Sequence, residues 1–127
     1  PLACAAGVAT LKILKTGDPY AALEKLCAKL ETGIKAILQR RGQGAVINRC
    51  GSLLTMFFGP GPVNSLEKVL ACDAGIFALY HAAMLEKGQY LPPSAFEAMF
   101  LSTAHTDADV DAFLRAQDQV LGSLELP

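Results

Sequence analysis

The sequence predicts an α+β domain in which a small antiparallel sheet of about three strands has helices packed mainly on one face. Residues 45–50 and 53–58 are short β-forming segments that a two-residue turn separates. Apolar residues recur at helical spacing in the long segments on both sides of this pair. The 127 residues, 52% of them hydrophobic, suffice for one compact core, and we see no linker-like stretch that divides them.

The first segment, Leu2 to about Leu14, is predicted to be a helix without a polar face. Its large apolar residues point in several directions, which is typical of a helix buried on more than one side; they are Val8, Leu11, Ile13 and Leu14. The rest of this chain has too little surface to cover such a helix. We therefore expect a surface from outside this chain to cover the helix.

A second helix is predicted from Asp18, as N-cap, with Pro19 in the first turn, to a stop at Gly42. Its inward residues follow a 3.6-residue period: Leu23, Leu26, Cys27, Leu30, Ile34, Ile37 and Leu38. The opposite face carries charges that water can solvate: Glu24, Lys25, Lys35 and Arg40. One face of this helix should therefore pack on the core.

The two predicted strands, Ala45 to Cys50 and Leu53 to Phe58, should form an antiparallel hairpin across Gly51-Ser52. Asn64 with Glu67 then predicts the start of a short helix. A longer helix should begin at a cap on Asp73 and stop at Gly88, with these residues inward: Ile76, Phe77, Tyr80, Met84 and Leu85.

Two consecutive prolines, Pro92 and Pro93, stiffen the chain after that helix. They fix φ and push Leu91 into an extended conformation, so the chain should cross the core as a rigid segment. We call residues 90–97 the strap. Glu97 lies at its end, where a loop meets the core. A carboxylate at such a place is hard to explain as an ordinary solvent-exposed charge.

The last elements are a strand and a helix. Residues 98–101 predict a short buried strand, and Thr106 with Asp109 has the spacing of a capping box at the start of a helix. The inward residues of that helix should be Val110, Phe113, Leu114 and Leu121.

Charge and hydropathy exclude several classes of partner. The formal net charge is −1, and the seven lysines and four arginines are scattered, so the sequence favours neither a nucleic-acid surface nor an anionic membrane as partner. We find no apolar run long enough to span a membrane and no signal-peptide pattern at the N-terminus. The expected location is the cytoplasm.

The four cysteines, at positions 4, 27, 50 and 72, are almost evenly spaced but lack the short paired spacing of a zinc site. Only His81 and His105 could add imidazole ligands to them. We therefore predict no metal site and four reduced thiols.

Four stretches of the chain carry motifs found together in one known family: residues 1–11, 46–58, 81–88 and 90–106. The last reads YLPPS at 90–94, FEA at 96–98 and LSxAHT at 101–106. In this order they resemble the C-terminal region of the glutamate-1-semialdehyde 2,1-aminomutase family, class III aminotransferases that use pyridoxal phosphate (PLP). Two residues depart from the family and alter the expected pocket wall: Ala95 replaces a usual glutamine, and Met99 a usual glycine.

The resemblance implies that residues 1–127 are the C-terminal small domain of a fold-type I PLP enzyme, in a cytoplasmic homodimer. It also implies that residues 1–16 are a connecting helix that contacts a cofactor domain missing from this chain. The whole enzyme would convert glutamate-1-semialdehyde to 5-aminolevulinate for tetrapyrrole synthesis. In the family, the Schiff-base lysine and the phosphate-binding threonine precede the stretch that matches Pro1. We therefore expect this fragment to be inactive and to bind no PLP.

The residues themselves lead to the same expectation about the cofactor. A PLP site needs a lysine amine, a carboxylate on the pyridine nitrogen and donors for the phosphate. The seven lysines fall on predicted helices, their ends or helical turns: Lys12, Lys15, Lys25, Lys29, Lys35, Lys68 and Lys87. The sequence offers no glycine-rich phosphate loop after a strand, since prolines interrupt the stretch from Gly59 to Pro62.

Glu97 is the candidate substrate-pocket residue, and Ser94 of the same motif is a further one. The resemblance places Glu97 near the substrate end of the cofactor pocket. A glutamate there would repel the second carboxylate of an external keto acid and attract an amine, whereas an arginine would do the reverse. The alternative is that Glu97 caps backbone amides or pairs with Arg49.

Other polar residues have mainly structural interpretations. His105 is expected to hold the junction between the last strand and the last helix, with catalytic proton transfer as the alternative. His81 should be structural, and Asn48 and Arg49 could touch the rest of the enzyme or its substrate. For the whole chain, a non-catalytic interaction module and the C-terminal domain of another class III aminotransferase stay open as alternative functions.

Overall fold

The computed structural model describes residues 1–124, which form five helices and one antiparallel sheet of three strands. In chain order the elements are α1 (Leu2–Thr16), α2 (Pro19–Arg41), β1 (Ala45–Cys50), β2 (Leu53–Phe58), α3 (Leu66–Leu70), α4 (Ala74–Glu86), β3 (Met99–Phe100) and α5 (Asp107–Ser123). The sheet order is β1-β2-β3. The predicted α+β class and the predicted hairpin are confirmed.

The hairpin runs in register from the pair Ala45 and Phe58 to the pair Cys50 and Leu53. Gly51 has a φ of 57°, which suits glycine in this tight turn. The hairpin therefore has the strand bounds that the sequence predicts.

The third strand differs from its prediction, because β3 has two residues and its Phe100 is 66% exposed. β3 pairs only with the beginning of β2, Phe100 opposite Leu53 and Met99 opposite Leu54. Alternate residues of a strand point to opposite faces, so Phe100 shares the outer face with the exposed Leu53, while Leu54 points into the core. The prediction of a buried strand over 98–101 is thus wrong for Phe100.

The core lies between the sheet and helices α2, α4 and α5. Its most deeply buried large side chains include Ile34, Leu54, Tyr80, Met84 and Leu121. The predicted inward positions of α2 are confirmed from Cys27 to Leu38, whereas Leu23 and Leu26 are half-buried.

Two predicted inward faces are only partly correct. Leu85 on α4 is exposed, because it follows the buried Met84 and one residue turns a helix by about 100°. On α5, Val110 and Leu121 are buried, whereas Phe113 and Leu114 are half-buried.

Helices α2 and α5 approach closely. A Cβ atom at Gly33 would lie 2.4 Å from Leu114 Cδ1. Near the start of α5, Lys29 Nζ lies 2.9 Å from Asp107 Oδ1 and 2.7 Å from Asp111 Oδ1. These contacts set the position at which α5 begins, directly after the loop that follows β3.

Two predicted helix caps are confirmed. Asp73 Oδ1 accepts from the Ile76 amide at 2.9 Å at the start of α4. At the start of α5, Thr106 N donates to Asp109 Oδ2 at 2.8 Å and Asp109 N donates to Thr106 Oγ1 at 3.3 Å, which completes the predicted capping box.

Two other predicted caps are corrected. Asp18 is the residue before α2, but its φ of 37° is left-handed and its side chain makes no capping bond. Before α3, the side chain of Ser65 accepts from the Lys68 amide, whereas Asn64 Oδ1 accepts from Lys68 Nζ at 3.0 Å. Because serine and asparagine cap equally well, local spacing did not distinguish these neighbouring positions.

Helix α1 has the predicted helical conformation and no buried residue within this chain. Leu11 is 66% exposed and Ile13 is 67% exposed. The chain therefore leaves this largely apolar helix on the surface.

Candidate functional site

The strap contacts the core at one anchored point, while the rest of residues 90–97 is exposed or half-buried. Leu91 is buried, and its carbonyl oxygen accepts a hydrogen bond from His81 Nε2 on α4 at 3.1 Å. His81 thus has the structural role that the sequence predicts. The anchored residue precedes Pro92 and Pro93, so the path from α4 to the end of the strap is held at its start and stiffened in its middle.

The strap ends in a tight turn over residues 94–97. The Glu97 amide donates to the Ser94 carbonyl oxygen at 3.1 Å, and the Phe96 amide donates to Ser94 Oγ at 3.2 Å. The Ser94 side chain therefore shapes the turn that carries Glu97.

The Glu97 carboxylate is exposed, and within residues 1–124 it forms no hydrogen bond or salt bridge. It borders a small cavity of about 10 Å³ whose wall also includes Thr55, Tyr80, Pro92 and Met99. The chain thus presents this carboxylate at the end of the strap without neutralising it.

Arg49, which the sequence offered as a partner for Glu97, is engaged elsewhere. Its Nε lies 2.6 Å from Glu31 Oε2, and its Nη1 lies 2.8 Å from Glu24 Oε1 and donates to the Gly51 carbonyl oxygen at 3.0 Å. The charges of Lys35 and Arg49, together with their hydrogen bonds, hold the pKa of Glu31 below its ordinary value. Arg49 therefore ties the hairpin to α2.

Asn48 also serves the fold, since its Nδ2 donates to the Val63 carbonyl oxygen at 2.7 Å. This bond holds the loop after β2 against the outer face of the hairpin. Asn48 and Arg49 both have partners inside the chain, so the structure does not bring either residue together with Glu97.

His105 lies in the loop between β3 and α5, as the structural interpretation expects. The Ser102 amide donates to His105 Nδ1 at 3.0 Å, and the His105 amide donates to the Ser102 carbonyl oxygen at 3.1 Å. Because Nδ1 accepts, the neutral ring carries its proton on Nε2. The ring also borders an apolar cavity of about 340 Å³ beneath the strap.

Tyr80, which the sequence assigns only to the core, lies next to the candidate site. Its side chain borders the same small cavity as Glu97, yet the residue is only 2% exposed. Burial raises the pKa of its hydroxyl far above the ordinary value, so the group is a neutral donor. A tyrosine on an inward, otherwise apolar helix face was the available signal, because a buried hydroxyl needs a partner.

Neither cavity at the strap supplies the lysine amine that a PLP site needs. Lys29 is paired with Asp107 and Asp111, Lys35 with Glu31 at 2.6 Å, and Lys68 donates to Asn64. The remaining lysines are exposed: Lys12, Lys15, Lys25 and Lys87. Neither the cavity beside Glu97 nor the larger one beneath the strap has a lysine in its wall.

Residues 1–124 contain neither a metal-ligand cluster nor a membrane-spanning helix. In that range, no cluster of three or more histidine, cysteine or acidic side chains could hold a metal ion. The four cysteines are free thiols, with Cys27 buried and Cys4 and Cys50 exposed. None of the helices described is both long and apolar enough to cross a membrane.

Comparison with known proteins gives the family context. No family model matches the chain. A glutamate-1-semialdehyde 2,1-aminomutase from Desulfatibacillum aliphaticivorans is 45% identical over 124 residues, which are 98% of this chain and 29% of that protein. The chain corresponds to the C-terminal portion of glutamate-1-semialdehyde 2,1-aminomutases. It spans less than a third of that relative's length.

Solved structures agree with the aminomutase relationship. A glutamate-1-semialdehyde aminomutase from Pseudomonas aeruginosa PAO1 matches with a TM-score of 0.74 and 28% identity, covering 84% of this chain and 24% of that one. The FumI protein of Sphingopyxis sp. MTA144, in its PLP internal aldimine form, matches with a TM-score of 0.73 and 28% identity, covering 94% of this chain and 26% of that one. The fold is therefore that of the small domain in these enzymes.

The two departures from the aminomutase motif lie on either side of Glu97. Ala95 is half-buried inside the turn at 94–97. Met99 is also half-buried, and it borders both the small cavity beside Glu97 and the larger cavity beneath the strap. Of the two residues, Met99 changes the cavity wall directly, because its thioether side chain fills space between the two cavities.

Proposed function

We propose that this chain is the C-terminal small domain of a PLP-dependent aminomutase that converts glutamate-1-semialdehyde to 5-aminolevulinate in tetrapyrrole synthesis. The observation that carries the proposal is the 45% identity, over 98% of the chain, to an enzyme of that name. The whole enzyme is proposed to be a cytoplasmic homodimer, as the sequence resemblance implies.

The cofactor is proposed to be held by a part of the enzyme that precedes this small domain. PLP would supply the carbonyl chemistry needed to move an amino group. The proposal is supported by the lysines described above, which are paired or exposed and lie away from the walls of both cavities.

An isolated chain of residues 1–127 should therefore neither turn over substrate nor hold PLP specifically. Treatment with low concentrations of PLP and then borohydride, followed by peptide mapping, tests this, with the full-length enzyme as positive control. Stoichiometric labelling of one lysine in the isolated chain would contradict the proposal.

Glu97 is proposed to supply negative charge at the substrate end of the site. Its carboxylate is exposed and without a partner in residues 1–124, and the turn at 94–97 fixes its backbone. A fixed carboxylate attracts the amine that is being moved and repels the second carboxylate of an external keto acid. Ser94 is proposed to contribute to the same pocket wall through the turn that it holds.

Helix α1 is proposed to be the connection to the cofactor domain, with its apolar surface packed against that domain. The support is that no residue of α1 is buried within this chain, although the helix carries Leu2, Val8, Leu11 and Ile13. Apolar surface of this extent favours a covering partner.

The function is tested with the full-length enzyme and glutamate-1-semialdehyde, with no amino acceptor added. We expect 5-aminolevulinate to form, because an aminomutase moves the amino group within one substrate. A requirement for an external keto acid would instead indicate another class III aminotransferase. Complete loss of chemistry in the PLP-loaded protein would favour a non-catalytic interaction module.

A further inference from the structure

Tyr80 is a nearly buried tyrosine of the small domain, and it borders the small cavity beside the strap. Its ring packs against Phe58 at a centroid distance of 5.3 Å and against Phe77 at 6.4 Å, and the residue is 2% exposed. Within residues 1–124 the hydroxyl makes no hydrogen bond. Among the side-chain polar atoms of the described residues, Gln117 Oε1 is the one that is fully enclosed without a partner, so the Tyr80 hydroxyl keeps a small opening at which an acceptor can reach it.

The small cavity beside the strap provides the place where such an acceptor meets Tyr80. Its wall includes Tyr80 from α4, Thr55 from β2, and Pro92 and Glu97 from the strap. β3 pairs with β2 only at Leu53 and Leu54, so the strap, rather than a strand, borders β2 at Thr55. The volume of about 10 Å³ is close to the space that one water molecule requires.

Among the side chains of this wall, Glu97 is the strongest acceptor. An ionised carboxylate accepts a hydrogen bond about twice as strong as one to a neutral group, and Thr55, between the buried Leu54 and Met56, points its side chain to the outer face of the sheet. The Glu97 side chain has no other partner in the described residues. Two groups that each lack a partner therefore border one small cavity.

We propose that Tyr80 is a positioning residue for Glu97, its hydroxyl donating to the Glu97 carboxylate directly or through one water molecule in this cavity. The bond fixes the direction in which the carboxylate points, as the turn at 94–97 fixes its backbone. The expected effect of this bond on kcat rests on the proposed function of Glu97 and makes that function more specific. The bond itself is a property of the small domain.

A double-mutant cycle in the full-length enzyme tests the kinetic consequence. Tyr80→Phe removes only the hydroxyl and keeps the ring packed against Phe58 and Phe77. We expect it to lower kcat roughly 3- to 10-fold in the wild-type background and less than about twofold in the Glu97→Ala background, where nothing is left to position. Equal factors in both backgrounds would overturn the proposal, because a purely structural effect does not depend on Glu97.

Tyr20→Phe is the matched control, since Tyr20 is an exposed tyrosine on α2 that borders neither cavity. It should leave kcat unchanged in both backgrounds. A loss equal to that of Tyr80→Phe would also overturn the proposal, because the loss would then not be specific to the cavity.

A crystal structure of the full-length enzyme gives a readout without turnover. We expect Tyr80 Oη within about 3.2 Å of a Glu97 carboxylate oxygen, or of one water that also contacts that oxygen. In the Tyr80→Phe enzyme the carboxylate should shift or show raised B-factors. A Tyr80 hydroxyl bonded to Thr55 instead, with Glu97 unchanged in the variant, would overturn the proposal. If the wild-type enzyme lacks aminomutase turnover, the proposed function fails and this structural arm still decides the bond.

Discussion

The Ser94 carbonyl oxygen accepts a hydrogen bond from the Glu97 amide at 3.1 Å, so the backbone that carries the candidate carboxylate is held to the residue that begins its own turn. Upstream, the bond between His81 and the Leu91 carbonyl oxygen anchors the same strap to α4. The backbone that carries Glu97 is thus held at both ends of a proline-stiffened segment. Such a carrier places a side chain reproducibly, which a functional site requires.

We predict that Glu97→Gln in the full-length enzyme reduces turnover on the order of 10- to 100-fold, because the amide keeps the shape and removes the charge. Folding should be nearly unchanged, since the side chain is exposed and has no partner in residues 1–124. Steady-state kinetics and thermal unfolding of the same preparation check both parts.

Glu86→Gln is the matched control for this substitution, because Glu86 is an exposed glutamate at the end of α4 and borders neither cavity. Its turnover should equal that of the wild type. Wild-type turnover in Glu97→Gln as well would assign Glu97 to a structural role only.

The sequence predicted the elements well where local chemistry decides them. Gly51-Ser52 can hardly be other than a turn, and Thr106 with Asp109 forms the predicted capping box. It failed where the outcome depends on neighbours in space. Phe100 is exposed because β3 lies at the sheet edge and pairs over only two residues, a result that no property of residues 98–101 reveals.

The candidate site shows the same division. The double proline and the following Glu97 pointed to the strap from sequence alone. Tyr80 was assigned to the core by its helical spacing, which is correct, but its meeting with Glu97 at one cavity depends on how α4 packs against the strap. The meeting of two residues that lie this far apart in the sequence is seen only in the folded chain.

We predict that Glu31 makes stability depend on acid pH. Lys35 and Arg49 hold its pKa below the ordinary value of 4.5, so it is a group with a depressed folded-state pKa. The stability that it contributes is therefore complete above that ordinary value and is lost as the pH falls through the folded-state pKa. Glu31→Gln should lower the free energy of unfolding at neutral pH and flatten its acid dependence.

Urea unfolding of the full-length protein between about pH 7 and pH 3 measures this change. Glu67→Gln is the control, because Glu67 is exposed on α3 and forms no ion pair within residues 1–124. An acid dependence that is the same in Glu31→Gln as in the wild type would contradict the prediction.

We predict that Gln117→Met stabilises the domain by about 1 kcal/mol. Gln117 is 0% exposed, and its Oε1 has no hydrogen-bond partner in the described residues. Its Nε2 makes only a weak donation to Met56 Sδ at 3.5 Å. Methionine has a similar length and removes the buried polar atoms, so the desolvation penalty disappears.

The exposed Gln119 on the same helix provides the control, and Gln119→Met should leave stability within about 0.5 kcal/mol of the wild type. Thermal or urea unfolding of both variants decides the matter. A loss of stability in Gln117→Met would mean that the amide has a partner, such as a buried water, in the whole enzyme.

We predict that the isolated chain of 127 residues self-associates through α1. The proposed cofactor domain is absent there, and Val8, Leu11 and Ile13 all lie on the exposed helix. Covering such side chains gains roughly 1.5 to 3 kcal/mol for each large one. The small residues Ala5, Ala6 and Ala9 let two such helices come close, so symmetric packing of two copies, or exchange of α1 between them, is the expected association.

Light scattering after gel filtration, over a range of concentrations, should show a mass above that of a monomer for the isolated chain. Val8→Glu with Leu11→Glu should return it to a monomer, because two charges on the apolar surface oppose its burial. Leu66→Glu is the matched control, since Leu66 is 73% exposed on α3, away from α1 in the sequence, and it should leave the mass unchanged. A chain that is monomeric at every concentration, with a mass and solubility that the two α1 substitutions do not alter, would mean that α1 needs no covering partner, and the connecting-helix proposal would lose its physical basis.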